Sequence, residues 1–207
     1  GSNGKASNYE LVSGTFSITK KQITAKLSKV YDGSKKVLNT ALESLAGLVG
    51  SEKLALSGTA VISDSNAGSE KTIDSHTLSF SDATGKASNY ELKTVVIDVA
   101  KRNLEIVGTK IYDASINIKE SVFTKISGLV ANEDVKVNAS VSLSNADAGD
   151  HSISTENLVL SNGNSGLASN YSINSAMVTV KKKPVRISGA GKFNRSVSGN
   201  VLEVASG

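Results

Sequence analysis

The feature that most limits what this chain can fold into is an internal repeat. Lys29-Val30-Tyr31-Asp32-Gly33-Ser34 returns as Lys110-Ile111-Tyr112-Asp113-Ala114-Ser115, 81 positions later. A degraded third copy stands at Lys192-Phe193-Asn194-Arg195-Ser196. A second marker keeps the same beat: Ala6-Ser7-Asn8-Tyr9, Ala87-Ser88-Asn89-Tyr90 and Ala168-Ser169-Asn170-Tyr171. A fixed period of this kind means stacked copies of one structural unit. The spacing divides the 207 residues into the end of a preceding repeat (1–21), a first module (22–102), a second module (103–183) and the start of a further repeat (184–207). Gly1-Ser2 reads as a cloning remnant, and the chain as a piece of a longer array. The last stretch is expected to fray unless it packs on the second module.

Within each module the apolar residues alternate. Ile23, Ala25 and Leu27 do so, as do Leu104 and Ile106. Val135, Val137, Ala139, Val141 and Leu143 predict one unbroken strand, and Leu54, Leu56, Gly58, Ala60 and Ile62 hold the equivalent places. Alternation of this kind marks a strand with one buried face. Polar turns rich in Asp, Asn and Gly lie between, at Ser63–Gly68 and Ser144–Gly149. Tyr90 and Leu92 are out of phase with Ile97 and Val99, which predicts a bulge or bend near Gly14, Val95 and Ala176, of the kind at which sandwich strands commonly change sheets. Leu42, Leu45, Leu48 and Val49 sit at helical spacing, but Ser44, Gly47 and Gly50 oppose a helix. A strand ending near Leu42 and a tight turn at Gly47–Gly50 is the reading adopted. Six or seven short strands per module make the expected fold all-β: tandem immunoglobulin-like β-sandwich modules of about 81 residues. The alternative is a β-grasp-like α+β module, in which Leu42–Val49 is a helix.

The four markers also have a fixed order. Tyr31-Asp32-Gly33, Gly47-Leu48-Val49-Gly50, Asn66-Ala67-Gly68 and Asn89-Tyr90 follow one another in the first module. The second departs at Ala114, Ala131 and Asp147. In this set the chain resembles the YDG-type repeats of large bacterial surface exoproteins, including filamentous-haemagglutinin-like adhesins. The resemblance implies export, a bacterial cell-surface or secreted setting and a stalk or adhesive role. It implies no enzyme and carries over no binding residues.

The residues themselves point the same way. There is no Cys, so neither disulfides nor thiolate chemistry are available. The net charge of +4 is mild, and five Tyr, four Phe and no Trp give no aromatic-laced basic stripe, so no nucleic-acid partner is expected. The basic residues gather at Lys20-Lys21, Lys101-Arg102 and Lys181-Lys182-Lys183, the same point of each repeat, and read as solvated junctions. No apolar run approaches the roughly 18 residues of a membrane span.

No catalytic, cofactor or metal site is expected. Tyr31 and Tyr112 are read as buried rings whose hydroxyls bond a backbone carbonyl, with Asp32 and Asp113 capping the turn behind them. Asn89-Tyr90 and its copies are read as a turn former and the first core residue of a strand. Asp64 with Asn66, or Asp147 with Asp150, supplies too few oxygens for Ca²⁺. His76 and His151 are not equivalent and have no partners at zinc or catalytic spacing, so both are expected to be solvated. Sequons stand at Asn138, Asn170 and Asn194, the second inside a repeat marker. The expected partners are neighbouring repeats of the same chain and, on a second reading, a host glycan, matrix protein or exopolysaccharide.

Overall fold

The computed structural model describes residues 4–139 and 141–186. The degraded copy at Lys192–Ser196, the Asn194 sequon and most of the last repeat fragment lie outside the described residues, as do Gly1-Ser2. Among the described residues each module contributes eight strands. The first holds β1 (Lys21–Val30), β2 (Lys36–Leu38), β3 (Leu42–Ala46), β4 (Leu54–Ser57), β5 (Thr59–Ile62), β6 (Ile73–His76), β7 (Ser79–Asp82) and β8 (Tyr90–Ala100). The second holds β9 (Arg102–Ile111), β10 (Asn117–Ile118), β11 (Phe123–Ser127), β12 (Val135–Ala139), β13 (Val141–Ser142), β14 (Gly149–Ile153), β15 (Leu158–Asn162) and β16 (Tyr171–Lys181). The rest is turn and single 3₁₀ turns, so the fold is all-β.

The main sheet of the first module has the order β3-β1-β8, and that of the second β11-β9-β16-β14. The first and last strands of each module run parallel, Lys21 opposite Tyr90 and Arg102 opposite Tyr171. Shorter pairs form the facing layer: β2-β5-β6 and β4-β7, then β10-β13 and β12-β15. Ala25, Leu27, Ile97 and Val99 from the main sheet meet Val37, Leu56, Ala60, Ile62 and Leu78 from the facing layer. The core is thus a sandwich between two layers. Ile23, Ala25, Leu27 and Ile97 are wholly buried, and each large aliphatic side chain so placed contributes about 1.5–3 kcal/mol.

Three sequence expectations change. The strand expected to end near Leu42 instead begins there: β3 runs from Leu42 to Ala46, antiparallel to β1, and takes up the first part of the helical spacing. Gly47 at φ 103° and Gly50 at φ 55° then reverse the chain, as left-handed glycines do. This removes the β-grasp alternative. The strand expected to run unbroken from Leu54 to Ile62 is two strands in different pairings, β4 with β7 and β5 with β2 and β6. Gly58 divides them at φ 89°, where any Cβ would stand 2.3 Å from the Thr77 carbonyl oxygen. Alternation survives a corner because it counts residues and not strand direction.

The last strand does carry the expected bulge, but earlier. The register of β8 on β1 slips between Leu92 and Thr94, and that of β16 on β9 between Ile173 and Ser175. Lys93 and Asn174 are the extra residues, and both strands stay in one sheet throughout. The extra residue alone resets the inward phase, so no change of sheet is needed.

Residues 9–20 match the last strand in sequence but pair with no described strand. Their apolar side chains stand in the open, with Leu11 99% and Phe16 89% exposed.

Candidate functional site

The repeated markers meet where one module joins the next. β1 ends at Val30, level with Ala100 at the end of β8, and β9 begins at Arg102 beside the start of β16. Only Lys101 separates β8 from β9. Tyr31 therefore leaves the far end of the first module and Tyr171 opens the near end of the second. Their rings meet edge to face, centroids 5.5 Å apart and planes at 86°. They are 3% and 2% exposed, and both belong to one core that also takes in Leu104 and Val135.

Glu133 sits between them. It accepts the Tyr31 hydroxyl on Oε1 and the Tyr171 hydroxyl on Oε2, the latter at 2.5 Å. The Tyr171 oxygen in turn accepts the Val130 backbone N–H at 3.1 Å. Burial, and after it the hydrogen bond to the Glu133 carboxylate, pushes both phenols up to about 12. A phenol donating to a carboxylate in an apolar surround cannot lose its proton without placing two negative charges side by side.

A second contact lies nearby. Asn170, 1% exposed, accepts the Ala67 N–H at 2.9 Å and donates Nδ2 to Asn66 Oδ1 at 3.0 Å. Arg102 donates Nε to the Gly128 carbonyl at 2.5 Å and Nη1 to the Tyr31 carbonyl at 3.5 Å. Gly33, at φ 76°, brings the turn close to Val130, whose Cγ1 would lie 3.1 Å from a Cβ there.

The turn behind Tyr31 is held by its own side chains. Asp32 Oδ1 accepts the Ser34 N–H at 2.9 Å and the Lys29 ammonium at 2.5 Å. Lys29 also reaches the Ser34 carbonyl at 2.9 Å. Asp113 repeats this with the Ser115 N–H at 3.0 Å and Lys110 at 2.7 Å. The Asp roles are those expected from the sequence. The Tyr31 hydroxyl is not, because its acceptor is a carboxylate 102 positions away and not a local carbonyl. Sequence reasoning missed Glu133, although Glu52 and Glu133 recur at the repeat spacing behind the Gly-Leu-Val segment. A carboxylate kept at that place was the available signal.

The other candidates fall elsewhere. Asp64 Oδ1 is already met by the Lys71 ammonium at 2.6 Å and the Asn66 N–H at 3.0 Å. Asp150 accepts from Thr179, and Asp147 gives its N–H to Asn145. His76 is exposed, and a ring nitrogen of His151 lies 2.8 Å from the Asp147 carbonyl oxygen. Among the described residues no three His, Asp or Glu gather as a metal set. No described helix is long and apolar enough to cross a membrane. Asn170 is buried in the junction, so its sequon is closed to a glycan unless the modules part.

The YDG domain matches twice in tandem, over residues 17–97 and 100–179. The chain belongs to the YDG domain family. No curated protein and no solved structure matches it. In these two YDG domains the Tyr of the first marker plugs the junction, and the Asn-Tyr of the second receives it.

A pH dependence follows. Folding raises the Tyr31 and Tyr171 phenols to about 12 from an ordinary value of 10. The protonated phenols thus stabilise the junction fully below pH 10, and that contribution is lost as the pH climbs through 12. Phenolate absorbance should show a late phase that shrinks in Tyr31→Phe and in Tyr171→Phe and falls furthest when both are replaced. Absence of a late phase in the parent chain would contradict the shared carboxylate.

Proposed function

We propose that this chain is a non-enzymatic stalk or spacer segment of a secreted or cell-surface bacterial adhesin, built from tandem YDG domains. One observation carries the reading: the repeated residues are spent on joining modules. Tyr31, Asn66, Glu133, Asn170 and Tyr171 face one another across the junction and close it into a shared core. Only Lys101 separates β8 from β9, and Tyr31 behind β1 meets Tyr171 at the start of β16, so the far end of one module abuts the near end of the next. A strand of 10 residues spans about 33 Å at about 3.3 Å per residue. Two modules placed end to end then reach about 70 Å.

A spacer of this kind works by length and stiffness, which a single-residue linker and a packed junction supply. Small-angle scattering tests it. The expected result is a rod whose maximum dimension is at least twice its width; two modules tumbling independently or folded side by side would sink the reading. Antibody labelling of intact bacteria tests the setting. Saturable binding to a glycan or matrix-protein array would favour the binding-module alternative.

A further inference from the structure

Each module carries both halves of the junction, and the halves facing away from it are open. In the second module the plug is Tyr112, 39% exposed where Tyr31 is 3%. In the first module the socket is Val49, Glu52, Asn89 and Tyr90. Val49 is 52% exposed and Asn89 is exposed, whereas Asn170 is 1% exposed. The open socket is nevertheless set. The Val49 N–H donates to the Tyr90 oxygen at 3.1 Å, as Val130 does to Tyr171. Tyr90 donates to Glu52 Oε2, and no other described side chain donates to that carboxylate. Glu133 holds the same first hydroxyl and uses its remaining oxygen for Tyr31.

The open plug is set as well. Ala114 keeps the left-handed turn at φ 60°, where Gly33 has φ 76°. Alanine in that region is disfavoured by about 1–2 kcal/mol, so the turn holds its shape without the glycine that favours it. Asp147, in the place of Asn66, still offers an oxygen to an asparagine amide.

We infer that the face formed by Val49, Glu52, Asn89 and Tyr90 is a docking socket for the tyrosine turn of another YDG module. Its occupant is a second copy of this chain, presented through Tyr112 and Asp147. Tyr112 lies edge-on to Tyr90 and donates to the second Glu52 oxygen, and Asn89 bonds the turn at Asp147. The contact is heterologous, so it propagates as an open line. The inference deepens the stalk reading by making plug and socket interchangeable between modules.

The test is an in-register duplication: residues 1–182 of the full chain joined to residues 21–207 of a second copy. Lys182 then meets Lys21 with the spacing that Lys101 and Arg102 have at the natural junction. The covalent link raises the effective concentration of plug at socket to the millimolar range. Tyr112→Ala in the first half is expected to lower Tm by about 5 °C or more in the duplication and by less than about 1 °C in the parent chain. Equal shifts in both would overturn the proposal. Where that variant does not fold, Ala114→Cys in the first half with Val49→Cys in the second half decides it. The two cysteines take the places of Gly33 and Val130, and they are expected to close a disulfide and become inert to a thiol reagent. Thiols that stay reactive overturn it. Free thiols beside a rod-like parent would leave the stalk reading standing and remove only the interchange.

Discussion

Tyr171→Ala is expected to cost about 3–5 kcal/mol and to uncouple the two modules. The ring is 2% exposed and lies in the core shared across the junction. Its loss opens a cavity and removes the ring that meets Tyr31 edge to face. It also leaves the Val130 N–H without its acceptor and halves the donors to Glu133, and an orphaned buried polar group adds about 1–3 kcal/mol. Chemical denaturation measures the loss. Calorimetry should show two transitions where the parent has one, because the main bond between modules has gone. Tyr112→Ala is the control, since that ring is 39% exposed. Tyr171→Phe separates ring from hydroxyl and is expected to cost about 1–3 kcal/mol. A loss for Tyr171→Ala no larger than for Tyr112→Ala would contradict the shared core.

What the sequence made legible was whatever is local. Alternation placed Ile23, Ala25 and Leu27 inward, and all three are fully buried. The Asp32 and Asp113 turns could be read because an Asx turn involves residues two positions apart. The junction was not legible, although Tyr31, Asn66, Asn170 and Tyr171 all lie in repeat markers and Glu133 recurs at the same spacing as Glu52. A period states that units recur; it does not state which faces of successive units touch. The Tyr31–Glu133 bond and the Asn66–Asn170 pair join positions more than a hundred residues apart. Only the parallel pairing of first and last strands, which puts Val30 beside Ala100, brings them together. Tyrosines that looked like private core residues of each module are therefore held in common by two. For the same reason the variation from Gly33 to Ala114 or from Asn66 to Asp147 keeps what the contact uses: a left-handed turn and an acceptor oxygen.

Gly58→Ala tests the corner that alternation concealed. At φ 89° an L side chain is strained by about 1–2 kcal/mol before any contact is counted. The added Cβ then stands 2.3 Å from the Thr77 carbonyl oxygen and 2.7 Å from its carbon. Both are backbone atoms, which a rotamer change cannot move aside. The Thr77 N–H is itself tied to the Thr59 carbonyl at 2.8 Å, and the Thr59 N–H to Thr77 Oγ1 at 3.1 Å. Relief therefore requires pulling β5 away from β6, which exposes Ala60 and Ile62, both fully buried. The expected loss is more than about 3 kcal/mol, from strain and lost packing together. It should fall on the first module, with the second still folded by hydrogen exchange. Gly14→Ala, where a Cβ meets nothing within 4 Å, is expected to stay within about 0.5 kcal/mol of the parent. If Gly58→Ala were equally silent, Leu54–Ile62 would have to be the single straight strand that its alternation suggests, and the facing layer would lose its corner.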